Sequence, residues 1–384
     1  MSKLRVIVAP DSFKGSLSSV QAAEAIRAGI QKARPDAEVA IIPMADGGEG
    51  TVDAVLAAVG GERITLQVEG PLGEPVEAAY GVLADGRTAV IEMAAASGLP
   101  LLASSQRDPL ITSTYGTGQL VRDALARGVE RILIGLGGSA TNDGGMGLAQ
   151  ALGVRFIDEA GKTIDERGAG RLLSSIASID TSGIDPQLAA ACITVLSDVT
   201  NPLCGPTGAS AVYGPQKGAT PDKVELLDQG LAHYAAQIAA HNGRLVRDVP
   251  GAGAAGGLGA GLIAFCNAEM KPGIAVILEL AGFEQAAAGA QLIITGEGRT
   301  DGQTAFGKVP SGIAAAARQA GVPVVCLSGG LGEGVDQLYE IGIAALFSIT
   351  NRPMTLEEAM QGGEALLAEA AENITRLFVA RAGD

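Results

Sequence analysis

Two short apolar runs lie near opposite ends of the chain, LRVIVAP at residues 4–10 and QLIITGEG at residues 291–298, and each leads toward a helical pattern. Near-continuous apolar strands joined by amphipathic helices build parallel βαβ sheets. After the first run come SSVQAAEAIRAGIQKAR, AEVAIIPM and GTVDAVLAAVG; after the second come PSGIAAAARQAG, PVVCLSGG, IAALFSI and a terminal helix. From about Glu62 the rhythm differs. ERITLQVEGPLGEPVEAAYGVLADGRTAVIEM alternates and carries Gly-Pro and Asp-Gly turns, which predicts antiparallel strands and hairpins. A middle block adds TGQLVRDALARG, RILIGL, GGMGLAQALG and ACITVLSD, then a small-residue helix near GAGAAGGLGAGLIAFC. The expected fold class is α/β in two domains. A doubly wound parallel-sheet domain is drawn from residues 1–70 plus 274–384, and a mixed α/β domain, residues 71–273, is inserted in it.

Composition narrows the function classes. The 55 Gly occur in a chain that is 47% hydrophobic, so they belong to tight turns in a folded protein and not to a polar linker. A net charge of −15 repels phosphate backbones and only 3% of residues are aromatic, which argues against a nucleic-acid partner. Four widely separated cysteines in or beside apolar stretches read as reduced core thiols. Neither a secretory leader nor a run long enough to span a membrane is evident, so the expected location is cytoplasmic, with no membrane partner.

Several glycine-rich stretches resemble nucleotide loops. GAGAAG at 251–256 fits G-x-G-x-x-G, but Pro250 is a poor end for a central strand, and packing of small residues explains it better than a dehydrogenase fingerprint. GQTAFGK at 302–308 fits G-x-x-x-x-G-K, yet Val309 stands where a P-loop needs a hydroxyl for magnesium. It reads as a ligand-contacting loop of another kind, with Lys308 a candidate phosphate contact. GGSATNDGG at 137–145 lies between a strand and a helix, where backbone N–H groups favour an anion. Carboxylates recur at strand ends: Asp11, then Asp46 and Glu49, then Asp198, then Glu297 and Asp301. Any one would be an ordinary cap or turn residue; together they suit magnesium coordination and deprotonation of a hydroxyl. Lys14, in PDSFKGSLSS, is either a solvated turn lysine or a fixed charge facing an acid or a phosphoryl group. His233 and His241 share one helical stretch and read as packing or surface residues, which leaves a Ser-His-Asp hydrolase without a base.

APDSFKGSLSS, PMADGGEGT, IGLGGSATNDGG, SDVTNPLCGPTGASAVYGPQKGAT and TGEGRTDGQTAFGKVP, in that order, resemble the bacterial type-I glycerate kinase family. The resemblance implies an ATP-dependent kinase acting on D-glycerate, with one flavodoxin-like domain and a second domain inserted in it. It implies 2-phosphoglycerate as product, with the 3-phosphate as the alternative. On that basis Asp198 is expected to be the base for the glycerate hydroxyl and Lys14 the positive group near the transferring phosphoryl. Ser12, Asp46, Gly47, Gly48 and Glu49 would line the glycerate path. Gly137, Gly138, Ser139, Thr141, Asn142 and Asp143 would face the nucleotide phosphates, joined by Lys308. Glu297 and Asp301 would hold Mg2+. The rival readings are a non-catalytic sugar-acid sensor and, less well supported, an NAD-dependent hydroxy-acid dehydrogenase. Oligomeric state is not legible.

Overall fold

A computed structural model describes residues 3–381. Its strands, in chain order, are β1 (Arg5–Val8), β2 (Glu38–Ile41), β3 (Gly61–Glu69), β4 (Pro75–Leu83) and β5 (Thr88–Glu92). Then come β6 (Arg131–Gly135), β7 (Arg155–Ile157), β8 (Ser178–Asp180) and β9 (Cys192–Leu196). The last are β10 (Glu269–Lys271), β11 (Leu292–Thr300), β12 (Val324–Leu331) and β13 (Ile343–Ser348). The chain divides into two compact units. One comprises residues up to Asp46, Asp53–Gly60 and the chain from Ile274 onward; the other comprises Gly47–Val52 and Gly61–Gly273.

The first unit holds an all-parallel sheet in the order β13-β12-β11-β1-β2. Counted along the chain, these five strands lie in the order 2-1-3-4-5 of flavodoxin-like sheets, whose switch point falls between the first and third strands. Here those are β1 and β11. Val6, Val8, Leu292 and Ile294 pack with Ile26, Ile30 and Leu367 in the core. Ile26 and Ile30 lie on the helix Ser19–Ala33, and Leu367 on the helix Gly363–Arg381. The two helices approach so closely that a Cβ at Gly29 would stand 2.0 Å from the Ala368 carbonyl. Ser18 starts the earlier helix, its hydroxyl accepting from Gln21 N at 3.1 Å while the Gln21 side chain accepts from Ser18 N at 2.9 Å.

The second unit holds a mixed sheet in the order β10-β9-β6-β5-β4-β3 and the small hairpin β7–β8. β3, β4 and β5 pair antiparallel, as the alternating segment predicts, and β5, β6, β9 and β10 are parallel. Residues 61–69, on the near side of the expected boundary at 70, pair in this sheet. Its core gathers Phe156, Tyr234 and Phe265, with ring centroids 6.0 to 6.5 Å apart. The GAGAAGG stretch packs, as its small residues suggest. Cβ atoms at Gly256 and Gly261 would lie 2.0 Å from the Thr141 carbonyl and 2.6 Å from that of Gly144. Three cysteines are buried thiols, but Cys192 is exposed where β9 begins, so the expectation of a core position fails there. His233 donates a ring N–H to the Ile176 carbonyl at 2.6 Å, in keeping with a packing role. No helix among the described residues is long and apolar enough to cross a membrane.

Candidate active site

In the first unit the polar residues collect at the switch point. Beyond β1 the pairing with β11 continues: Ala9 N donates to Ile294 O and Asp11 N to Gly296 O, each at 2.8 Å. Thr295 Oγ1 donates to Ala9 O at 2.8 Å. This ladder carries Asp11 to the carboxyl end of the sheet. The chain then turns tightly, Phe13 N donating to Leu17 O at 2.8 Å and Gly15 adopting φ +79°, which places Lys14 at the exposed tip.

These residues line a cleft of about 600 Å3, within the usual range for small-molecule sites. Asp11, Ser12, Lys14, Asp46, Glu297, Arg299 and Lys308 supply its polar lining. The Asp11 carboxyl is almost fully buried and accepts from Ser12 N at 2.6 Å. Burial first, then the charge of Asp46 and more weakly that of Glu297, push it up to about 7, against the Ser12 hydrogen bond and the Lys14 charge. Glu297 is buried too. Its Oε1 accepts from Thr304 Oγ1 at 2.6 Å and Thr300 Oγ1 at 3.2 Å, and its Oε2 meets Lys308 Nζ at 3.3 Å. Asp301 lies beside this group but caps the short helix Gly302–Ala305, its Oδ1 accepting from Gln303 N at 3.0 Å, and pairs with Arg299 at 3.5 Å.

Magnesium chemistry can be tested against this donor set. Among the described residues no three His, Cys, Asp or Glu side chains form a metal cluster. Magnesium ordinarily takes one or two carboxylates and completes its shell with water and substrate phosphates. Asp11, Asp46 and Glu297 line one cleft, and the charges of Asp46 and, more weakly, Glu297 bear on Asp11, so one or two of these carboxylates suit that mode.

The second unit brings together two of the glycine motifs. Gly137 N donates to Gly47 O at 3.2 Å. A Cβ on Gly137 would lie 2.5 Å from Gly48 Cα, and one on Gly135 2.3 Å from Gly47 O, so the motifs need glycine for close approach. The loop after β6 has two layers. Gly138 is exposed, whereas Ser139 is buried and Thr141, Asn142 and Asp143 lie fully buried beneath. Asp143 Oδ2 accepts from Thr114 Oγ1 at 2.7 Å, Thr114 N at 2.9 Å and Gly147 N at 3.2 Å; Oδ1 accepts from Gly145 N at 3.1 Å. Asp143 is thus spent on holding the loop. Lys217 is buried as well and donates to Thr141 O at 2.7 Å; burial depresses its pKa to about 7, with Asp143 opposing. Asp198 follows β9 and is exposed, as is Glu49.

A model of the glycerate kinase family matches residues 6–379. The chain belongs to the glycerate kinase family. It is 53% identical to a glycerate kinase of Halalkalibacterium halodurans, over 96% of this chain and 97% of that protein. To the glycerate 2-kinase of Escherichia coli it is 47% identical, over 97% of each. A solved structure of a putative glycerate kinase 2 from Salmonella typhimurium superimposes with a TM-score of 0.90 at 46% identity, covering both chains completely. The α/β architecture expected from the sequence is therefore that of a family member.

Two residues have no signal in the sequence, and a third is only half legible there. Asp11 is visible as a strand-end carboxylate, but not its burial in a cleft shared with Asp46 and Glu297. Arg299 lines the same cleft as Lys308, and neither spacing nor strand pattern marks it. Lys217 sits inside the quoted GPQKG, though nothing in that string shows that it is buried.

Proposed function

We propose that the protein transfers the γ-phosphoryl group of ATP to the 2-hydroxyl of D-glycerate. Membership of the glycerate kinase family supports the acceptor, and the relative named glycerate 2-kinase supports the position. The observation that carries the reading is the switch-point cleft, which is lined by Lys14, Arg299 and Lys308 together with Asp11, Asp46 and Glu297. Phosphoryl transfer needs positioned charge more than covalent chemistry.

In this scheme Ser12, Asp46, Gly47, Gly48 and Glu49 position the hydroxy acid, and Lys14 neutralises charge developing on the transferring group. Asp198 accepts the hydroxyl proton. Gly137, Gly138 and Ser139 offer backbone N–H groups to phosphate, while Thr141, Asn142 and Asp143 keep that loop in shape. Lys308 spans Glu297 and a phosphate oxygen. Glu297 and Asp11 would hold Mg2+, whose charge offsets theirs, and Asp301 would reach it through water. The magnesium, when bound, supplies charge neutralisation at the phosphates. The test is ADP release measured with ATP, magnesium and D-glycerate together and with each omitted. The reading requires release that depends on all three; no glycerate-dependent ADP overturns it, and tight glycerate binding without turnover favours a sensor.

A further inference from the structure

A small hydroxy acid fills only a fraction of a cleft of about 600 Å3. The same cleft is also lined by the apolar side chains of Phe13, Ile349, Leu356, Ala359 and Met360. Leu356 opens the short helix Leu356–Gln361 and is 77% exposed, and it is the most exposed of the apolar residues that line this cleft. That helix is anchored to the Lys14 turn, since Ser16 Oγ donates to Met360 O at 2.6 Å. Gly330, on β12, lines the same space, and a Cβ there would meet nothing within 4 Å.

The cleft thus offers two kinds of surface: charge, from Lys14, Arg299 and Lys308 beside Asp11, Asp46 and Glu297, and an apolar lining from Ile349, Leu356 and Met360. A nucleoside polyphosphate needs both, cations for its phosphates and apolar side chains for its flat base. A hydroxy acid has no apolar part to bury.

We propose that the apolar wall formed by Ile349, Leu356 and Met360, with Gly330 beside it, is the subsite for the nucleoside of the phosphoryl donor. The inference rests on the kinase reading above and assigns the base to the flavodoxin-like unit. Gly330 then stays side-chain-free because the base occupies that volume. Leu356 is exposed until a base covers it.

Two variants test this. Gly330→Leu places atoms in open space and leaves the sheet undisturbed; Leu356→Asp changes an exposed side chain and spares folding. Each should raise KM for ATP by about tenfold, the loss of one good apolar contact, while KM for glycerate and kcat stay within about threefold. Titration of the wild-type protein with a fluorescent ATP analogue, without glycerate, should show binding that adenosine displaces, and both variants should weaken it. An increase in KM for glycerate instead, or unchanged constants for both substrates in both variants, would overturn the assignment. The titration separates the two failures. Adenosine-displaceable binding sensitive to both variants, without glycerate turnover, would refute the acceptor reading and retain the nucleoside subsite. Turnover of glycerate with variant-insensitive nucleotide binding would do the reverse.

Discussion

Asp11 and Asp143 are both buried aspartates near the carboxyl ends of parallel strands, one in each unit, and burial raises the pKa of both. Their surroundings differ. Asp143 receives four hydrogen bonds from Thr114, Gly145 and Gly147, and its two oxygens are fully engaged. Asp11 receives one, from Ser12, and shares its cleft with Asp46 and Glu297. Burial alone therefore does not distinguish a scaffold from a site. A carboxylate satisfied by its own fold in a sealed interior, as Asp143 is, holds a loop, whereas one that borders open volume and feels like charges, as Asp11 does, is prepared for a ligand.

The largest expected effect lies with the exposed carboxylate that shares a unit with Asp143. Asp198→Asn should lower kcat at least ~10²-fold without loss of folding, as removal of a general base does. Near-normal turnover in a folded variant would return Asp198 to the class of turn residues. Lys14→Met should cost roughly 10²-fold, mainly in kcat, because charge at the phosphoryl group matters most in the transition state. A raised KM with unchanged kcat would make Lys14 a positioning residue.

The buried member predicts the opposite signature. Asp143→Ala strands four buried donors and should destabilise the protein by about 2–3 kcal/mol, read in urea unfolding. Full stability with lost activity would place Asp143 among the ligand contacts and dissolve the contrast with Asp11.

The smallest effect concerns pH. Folded Asp11 keeps its proton up to about 7 while the unfolded chain loses it near 3.8, so the folded state binds more protons between those values. Stability should therefore fall as pH rises through that window. Asp11→Asn should flatten the fall by a few degrees of melting temperature, and an unchanged profile would mean that Asp11 ionises normally.

Much of this contrast was legible beforehand. The apolar runs around Val6 and Ile293 predicted the parallel sheet, because fully buried strands leave no alternation to misread. The small residues of 251–256 were assigned to packing, and they do pack against the Thr141–Gly144 loop. The sequence also marked the strand-end carboxylates. It could not sort them, since whether Asp143 is satisfied depends on Thr114, twenty-nine residues away. Nor could it show that Asp301 would cap its own helix while Glu297, four residues earlier, turned into the cleft. Those are tertiary facts.

Which oxygen receives the phosphoryl group is read from phosphorus NMR of the product. With ATP, magnesium and D-glycerate, a new phosphomonoester resonance should appear, split into a doublet by the single proton on carbon 2. A triplet, from the two protons on carbon 3, would contradict the 2-hydroxyl assignment, and the absence of any new ester resonance would contradict the kinase itself.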